Sequence, residues 1–283
     1  MVNEILEIDE TLFMNEIQQE LRYLLTTHTD IYKYNDVKSA VMILENNTLA
    51  FKNPLFLNDP YDCALDLITF NYPPKEYRAK LIDKYYPNLT NIEKHSLLKQ
   101  YEQVSDEYLA NFVKNGMYEN DLSKRGLSCF SAINNQMLMW SHYSANHKGI
   151  CIGFNLEKLY LSIREISHPE RLLIKVQYTK DFEAIEYYEQ PKKAIINWLR
   201  TKSICWDYEQ EIRFVLYDLI FDKLGLHVKN ISASCIASVY MGNKISKENE
   251  NLVRGILAKK HPNAAIYKMH LSKNMFNLYP VLC

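Results

Sequence analysis

The chain has 283 residues, 47% of them hydrophobic, so it is long enough to bury a full core without a disulfide or a structural metal. Its formal net charge of -1 excludes the whole-chain attraction to phosphate on which nonspecific nucleic-acid binders rely, and leaves room only for a local basic groove. The six cysteines include no C-x-x-C pair, the first residues lack an apolar run, and no stretch approaches the roughly 20 apolar residues of a membrane span. We therefore expect a single cytoplasmic domain, residues 1–283, with free thiols.

Hydrophobic spacing along the first third of the chain predicts a helix, a strand, a helix and a second strand. These elements cover residues 10–27, 31–34, 37–45 and 48–52. Asn35-Asp36 is a typical cap for the second helix, and Asn46-Asn47 a typical end, because Asn tolerates the left-handed conformation. The turn-rich segment 57–62 follows, and we expect a rigid loop that faces the site.

Residues 73–120 are highly charged and helical in pattern, which predicts a helical insertion within the single domain. The remaining predicted strands are 126–131, 149–154, 173–178, 209–217, 236–241 and 265–270, and the remaining helices are 135–143, 191–202 and 247–260. Because strands and helices mix without a strict repeat, the sequence predicts an α+β fold.

Three charged residues, Glu209, Glu211 and Arg213, alternate along the predicted strand 209–217. Alternate residues of a strand point to one side, so both carboxylates and the guanidinium are predicted to share a face. Arg213 pairing with one carboxylate would leave the other free to act as a base or to bind a hydroxyl group. A surface ion-pair ladder is the alternative interpretation.

A second polar cluster lies at a predicted helix end, where Trp140, His142 and His147 fall within ten residues. The two histidines are five residues apart, a poor spacing for two metal ligands on one helical face, whereas the helix dipole favours His at a C-terminus. A metal would also need Asp59 or Asp62, so we expect none. The sequence contains no P-loop, no Gly-x-Gly-x-x-Gly, no Gly-x-Ser-x-Gly and no His-Glu-x-x-His motif.

Spaced motifs between about Tyr32 and Met241 resemble a bacterial family of uncharacterised proteins, domain-of-unknown-function family 2971. They are Tyr32-Lys33-Tyr34, Pro54-x-x-x-Asn58-Asp59-Pro60-x-Asp62, Cys129-Phe130-Ser131, Met139-Trp140-Ser141-His142-Tyr143, His147-Lys148-Gly149 and Trp206-x-Tyr208-Glu209-x-Glu211-x-Arg213. This resemblance implies no settled activity.

A second resemblance, over shorter stretches, is to ADP-ribosyltransferases of the DNA-modifying toxin branch. Lys33 stands on the first strand where that family has His or Arg, Phe130-Ser131 matches its aromatic-Ser element, and Glu211 matches the glutamate of its late strand. The resemblance implies a mixed, mainly antiparallel split sheet with flanking helices, and NAD as a substrate. It further implies a nucleic-acid or protein acceptor and an effector of the toxin or phage-defence kind.

The resemblance also assigns roles to the candidate residues. Glu211 would stabilise the oxocarbenium-like state, Glu209 would orient or deprotonate the acceptor, and Lys33 or Arg213 would hold the pyrophosphate or ribose. Aromatic rings would stack on the nicotinamide or an acceptor base. The other expected binding residues are Tyr32, Tyr34, Ser131, Trp140 and His142.

Two other functions stay open from the residues alone. One is a metal-dependent nuclease or hydrolase built on Asp59, Asp62, His142, His147 and Glu211. The other is a noncatalytic module that binds a ligand or partner in an aromatic cleft, which would be favoured if Glu209, Glu211 and Arg213 only pair with one another.

Overall fold

A computed structural model of the chain describes residues 2–71, 78–80, 82–83, 86–120, 122–166 and 171–283. The first residues of the predicted insertion, 73–77, therefore lie outside the described residues. In the part that is described, no helix combines the length and apolar character needed to cross a membrane. Helices and strands alternate irregularly, which confirms the predicted α+β class.

Eight α-helices and fourteen strands are described, together with short 3-10 turns. The helices are α1 Val2–Thr27, α2 Val37–Asn46, α3 Asn91–Tyr101, α4 Asp106–Asn120, α5 Met137–Tyr143, α6 Leu156–Ile166, α7 Pro191–Arg200 and α8 Lys247–Lys260. The strands are β1 Asp30–Asn35, β2 Thr48–Lys52, β3 Ile68–Thr69, β4 Gly126–Ser131, β5 Ile150–Asn155, β6 Arg171–Lys175, β7 Gln177–Thr179, β8 Ile185–Glu186, β9 Thr201–Ser203, β10 Glu211–Leu216, β11 Leu226–Asn230, β12 Ile236–Met241, β13 Ala265–Leu271 and β14 Leu278–Leu282.

The α2 helix shows how local chemistry fixes the element boundaries. The Asp36 side chain accepts a hydrogen bond from the Ser39 backbone N–H at 2.7 Å, so it caps the first turn. Asn47 ends the helix in the left-handed conformation with φ 53°, and β2 begins at the next residue. Both predicted ends of this helix are confirmed to within one residue.

Ten of the strands form one sheet in the order β11-β2-β4-β1-β5-β12-β13-β14, with β10 and β6 continuing from the other edge of β4. All neighbouring strands in it are antiparallel except β12 and β13, which confirms a mixed, mainly antiparallel sheet. One residue pair, Tyr32 with Ser131, joins β1 to β4, and one pair, Lys52 with Leu127, joins β2 to β4. The sheet therefore divides at β4 into a half that contains β1 and a half that contains β2. Both strands meet the same edge of β4, at one residue pair each, and separate from there.

Alternate residues of β10 face two different hydrophobic cores, as the pleat of a strand requires. Ile212 and Phe214 belong to the larger core, which is packed with residues of α2, α6 and α8. Val215 points the other way, into a second core that includes Trp198 and Leu199 of α7. Glu211 and Arg213 are on this second face of the strand, so α7 and the residues after it border the charged groups.

Two predicted boundaries around the charged residues are wrong. The predicted strand 209–217 begins only at Glu211, because Gln210 adopts a left-handed conformation with φ 43° and Glu209 ends a 3-10 turn, Ile204–Glu209. The predicted helix 191–202 ends at Arg200, so Lys202 lies on β9 instead.

Five helices and strands lie outside the sequence predictions, namely α6, β3, β8, β11 and β14. The β14 strand contains Pro280, whose missing N–H argues against a central strand. It is tolerated because β14 is the last strand of the sheet, where one backbone edge needs no partner.

Candidate functional site

A cavity of about 310 Å³ lies where the two halves of the sheet separate. It is lined by Tyr32, Lys33, Tyr34, Ala50, Lys52, Leu57, Asn58, Asp62, Leu127, Cys129, Phe130, Ser131, Met139, Tyr143, Lys202, Glu209, Glu211 and Leu226. The sequence predicts that residues 32–34, 131–147 and 209–213 converge. Each of these regions contributes lining residues to the cavity, although His142, His147 and Arg213 do not line it. Its volume is near the lower limit of roughly 300 Å³ for ligand pockets.

Arg213 holds the Glu211 carboxylate from beneath the cavity. Its Nε donates to Glu211 Oε1 at 2.7 Å, and a terminal nitrogen donates to Glu211 Oε2 at 3.1 Å. The same nitrogen donates to Asp62 Oδ2 at 2.7 Å, and the other terminal nitrogen donates to the Leu199 carbonyl at 2.8 Å. Arg213 is 0% exposed and does not line the cavity, so it binds protein groups and not the pyrophosphate or ribose that the resemblance implies for it.

Lys202 is the second cation of this charged cluster, which consists of Asp62, Lys202, Glu209, Glu211 and Arg213. Its Nζ lies 2.5 Å from Glu209 Oε2, 3.0 Å from Glu211 Oε2 and 3.5 Å from Asp62 Oδ2. Burial alone would lower the pKa of Lys202, but the three carboxylates outweigh this effect and raise it. The two cations thus hold three carboxylates in a buried network.

Most of the acceptor sites of Glu211 are used. A carboxylate offers about four lone-pair sites, and here two accept from Arg213 and one accepts from Lys202. Burial would raise the pKa of Glu211, yet the charges of Arg213 and Lys202 hold it well below its usual range. Glu211 is therefore ionised at neutral pH, and protein groups bind most of its carboxylate.

Glu209 keeps free acceptor capacity. Its Oε1 accepts from the Tyr143 hydroxyl at 2.6 Å and its Oε2 accepts from Lys202 at 2.5 Å, so about two of four sites remain. Burial raises the pKa of Glu209 more than Lys202 and Tyr143 lower it. Of the two glutamates, Glu209 is thus the one that is equipped to contact a ligand or take up a proton.

The β1 segment supplies one wall of the cavity. Tyr32 is half-buried against Tyr240, with 5.7 Å between ring centroids, and keeps a surface toward the cavity. The Tyr34 hydroxyl donates to the Ile133 carbonyl at 2.9 Å, and its ring meets Trp140 edge-on. Tyr34 therefore closes the end of the cavity more than it offers a stacking surface.

Lys33 binds the edge of β4 beyond the point where β1 diverges from it. Its ammonium donates to the Cys129 carbonyl at 2.9 Å and to the Ser128 hydroxyl at 3.3 Å, and lies 4.9 Å from the centre of the Phe130 ring. Burial lowers the pKa of Lys33. Lys33 thus lines the same cavity as Glu211, but most of its hydrogen-bonding capacity serves the protein.

The remaining expected binding residues differ in position. Ser131 lines the cavity, and its hydroxyl accepts from the Ile133 N–H at 3.2 Å. Trp140 is completely buried, with its indole N–H donating to the Asn134 carbonyl at 2.7 Å, and it does not line the cavity. His142 is exposed and its ring lies 6.2 Å from that of Tyr208, also outside the cavity. The structure therefore groups Ser131 with the glutamates and leaves Trp140 and His142 apart.

The five residues of the metal-site hypothesis are not brought together. Asp62 and Glu211 pair with Arg213, whereas the Asp59 side chain accepts from the Tyr61 N–H at 2.9 Å and His147 Nε2 lies 3.0 Å from the Ser141 hydroxyl. Among the described residues there is no group of three or more His, Cys, Asp or Glu side chains arranged to hold a metal ion. This arrangement does not fit the metal-dependent nuclease or hydrolase.

Lys202, Tyr143 and Lys52 are site residues that the sequence interpretation did not select. For Lys202 a signal was present, because two glutamates and one arginine in a buried strand leave one carboxylate without a cation. Lys202, seven residues before Glu209, is a cation close enough in the sequence to be a candidate for this pairing. No comparable signal identifies Lys52, whose role depends on how β2 meets β4.

Comparison with known proteins bears on the central part of the chain. Residues 139–214 match the model of a family described as "Protein of unknown function (DUF2971)". This segment contains Tyr143, Lys202, Glu209, Glu211 and Arg213, so it covers most of the charged cluster, and it supports the family resemblance over that part. No curated protein and no solved structure matches the chain.

Proposed function

We propose that this protein cleaves the bond between nicotinamide and ribose in NAD and transfers ADP-ribose to a nucleic-acid or protein acceptor. The observation that carries the proposal is the meeting, in one cavity at the division of the sheet, of Tyr32, Ser131 and the pair Glu209 and Glu211. These elements follow the chain order of strand, helix, strand and late glutamate strand that ADP-ribosyltransferases share. The volume of about 310 Å³ suits the nicotinamide-ribose half of the dinucleotide.

The free acceptor sites assign the contact with ribose to Glu209. As the bond from C1′ to the ring nitrogen breaks, its electron pair leaves with nicotinamide and positive charge develops on the ribose. Glu209 accepts a hydrogen bond from a ribose hydroxyl and stabilises that charge. An oxygen or nitrogen of the acceptor then bonds to C1′, and Glu209 takes up the proton that this atom loses. A base works best with a pKa near the working pH, and burial moves the pKa of Glu209 in that direction.

Glu211 acts through its neighbours in this mechanism. Its charge holds Lys202, and Lys202 in turn fixes Glu209 Oε2 at 2.5 Å. This division of roles differs from the one that the resemblance implies, because Glu209 contacts the ribose as well as the acceptor while Glu211 has most of its acceptor sites filled. Tyr32 and Met139 offer apolar surface to the nicotinamide ring, whereas Trp140 is buried.

A noncatalytic binding module is the second candidate. The observation that favours it is the closed pairing of Glu211 and Arg213 with Asp62 and Lys202, which satisfies the charges without a ligand. Such a module would bind NAD or a related compound and leave it intact.

One experiment separates these functions. The wild-type protein is incubated with NAD labelled in the nicotinamide, together with mixed nucleic acids and proteins, and released nicotinamide is measured. We expect release by the wild type, and a loss of about 100-fold or more in kcat for Glu209→Gln with the fold retained. The exposed Glu45→Gln is the matched control.

Binding without release by the wild type would select the noncatalytic module. Full turnover by a folded Glu209→Gln protein would remove Glu209 from the mechanism, and the absence of both binding and release would reject NAD as the ligand.

A further inference from the structure

We propose that Lys52 is the residue that binds a phosphate group of the ligand in this cavity. Three lysines line the cavity, and two of them are engaged by the protein. Lys33 donates to backbone and hydroxyl oxygens of β4, and Lys202 is held by Glu209 and Glu211. Lys52 has no hydrogen-bond or ion-pair partner within the described part of the chain.

The register of the sheet places Lys52 among apolar side chains. It lies directly opposite Leu226 of β11 on one side and Leu127 of β4 on the other, and directly opposite residues in a sheet project to the same face. All three line the cavity, as does Ala50, two residues before Lys52 on the same face of β2. A cation with apolar neighbours attracts an anion more strongly than one surrounded by water.

A second polar group without a protein partner lies on the same side of the cavity. Asn58, in the loop after β2, lines the cavity, and its side-chain amide makes no hydrogen bond to other described residues. An ammonium and an amide together provide donors of the kind that phosphate oxygens accept. These donors lie on β2 and in its following loop, whereas Glu209 and Glu211 lie just before and at the start of β10. Asp62, in the same loop as Asn58, is already paired with Arg213 and Lys202.

The choice of phosphate as the anion rests on the proposed function, because NAD carries a pyrophosphate next to its ribose. With the ribose at Glu209, the pyrophosphate would pass along β2 toward Lys52. The alternative for Lys52 is a lysine whose stem covers apolar surface while its ammonium is hydrated. These two roles make opposite predictions for ligand binding.

The test measures binding by calorimetry on the full chain, with NAD, ADP-ribose, inorganic pyrophosphate and nicotinamide riboside as probes. We expect Lys52→Met to weaken binding of the phosphate-bearing probes about tenfold or more, and to leave the riboside, which has no phosphate, unchanged. Lys52→Arg should retain most of the affinity. Lys229→Met is the matched control, since Lys229 lies half-exposed on the neighbouring strand β11 and does not line the cavity.

The inference would be overturned if Lys52→Met bound all phosphate-bearing probes as tightly as the wild type does. It would also be overturned if no phosphate-bearing probe bound the wild type. An equal loss for the riboside, with a lowered melting temperature, would show a structural role instead and overturn it too. Lys52-dependent binding without cleavage of NAD would support the inference while rejecting the transferase.

Discussion

Arg213 contacts both oxygens of the Glu211 carboxylate, with Nε at 2.7 Å from Oε1 and a terminal nitrogen at 3.1 Å from Oε2. The two residues are neighbours on one face of β10, and both are buried. Because burial of an unpaired charge is costly, each of these side chains makes the other tolerable in the fold. The site therefore depends on the cluster as a unit, which makes its members testable by stability as well as by activity.

The first prediction concerns the shape of the Arg213 side chain. Arg213→Lys keeps the charge, but a single ammonium cannot reach Glu211, Asp62 and the Leu199 carbonyl together. We expect a loss of about 3 kcal/mol in the free energy of unfolding, measured by denaturant titration. The exposed Arg22→Lys should change it by less than about 0.5 kcal/mol. Equal stability of Arg213→Lys and the wild type would contradict the paired arrangement.

The second prediction concerns Lys202. Lys202→Met removes the cation between Glu209 and Glu211, so we expect the free energy of unfolding to fall by about 3 kcal/mol at pH 7. Adding Glu209→Gln to this variant removes a carboxylate that has lost its partner, and should recover part of the loss. Lys148→Met, at an exposed lysine, is the control. Additive losses in the double variant would show that Lys202 and Glu209 are not coupled.

The third prediction is the pH dependence of the contribution of Glu211. Its pKa in the folded protein lies below the ordinary value of 4.5, so its charged form stabilises the fold at pH values above 4.5. This contribution is lost as the pH falls from 4.5 through the folded pKa. The difference in melting temperature between wild type and Glu211→Gln should therefore be largest near neutral pH and shrink below pH 4.5. Glu45→Gln, at an exposed glutamate, is the control, and a wild-type to Glu211→Gln difference that grows in acid would refute the assignment.

The sequence predicted the fold where a local rule fixed an element, and failed where a distant contact did. Asp36 and Asn47 define α2 through their own backbone, so its limits were predictable. Glu209 was placed on a strand because it alternates with Glu211 and Arg213, but the left-handed Gln210 breaks the pleat. Glu209 nevertheless lies in the same cavity as Glu211, where Lys202 on a separate strand binds both glutamates. No spacing rule contains that contact.

Trp140 illustrates a second limit of the sequence. A tryptophan beside histidines suits a stacking surface as well as a core, because its ring is large and its N–H needs one partner. The partner is the Asn134 carbonyl at 2.7 Å, which lies in the turn before α5 and draws the ring inward. Which of the two roles applies is decided by tertiary packing against Tyr34, which lies on β1, far outside any periodic pattern of this helix.

The fourth prediction concerns Gly153, which lies opposite Tyr32 on β5. A Cβ at Gly153 would be 2.2 Å from the Ser238 hydroxyl oxygen and 3.3 Å from Cε1 of Tyr32, so both side chains would have to move. We expect Gly153→Ala to cost about 1–3 kcal/mol and to weaken ligand binding through the displaced Tyr32. Gly255→Ala is a control of opposite sign, because that helical glycine has nothing within 4 Å and alanine should stabilise α8 by up to about 1 kcal/mol. A stable Gly153→Ala protein with unchanged binding would contradict the close packing of Tyr32.

The last prediction connects Tyr143 with the protonation of Glu209. The Tyr143 hydroxyl donates to Glu209 Oε1 at 2.6 Å, which favours the charged carboxylate, so Tyr143→Phe should raise the pKa of Glu209 further. If Glu209 works in its ionised form, the acidic limb of the pH profile of kcat/KM for NAD cleavage moves to higher pH. The same shift is readable without turnover, by NMR titration of the Glu209 carboxyl carbon. Tyr208→Phe, which removes a hydroxyl near Glu209 that makes no hydrogen bond to it, should leave both curves in place. A titration curve of Tyr143→Phe that coincides with that of the wild type would show that the hydroxyl does not control this proton.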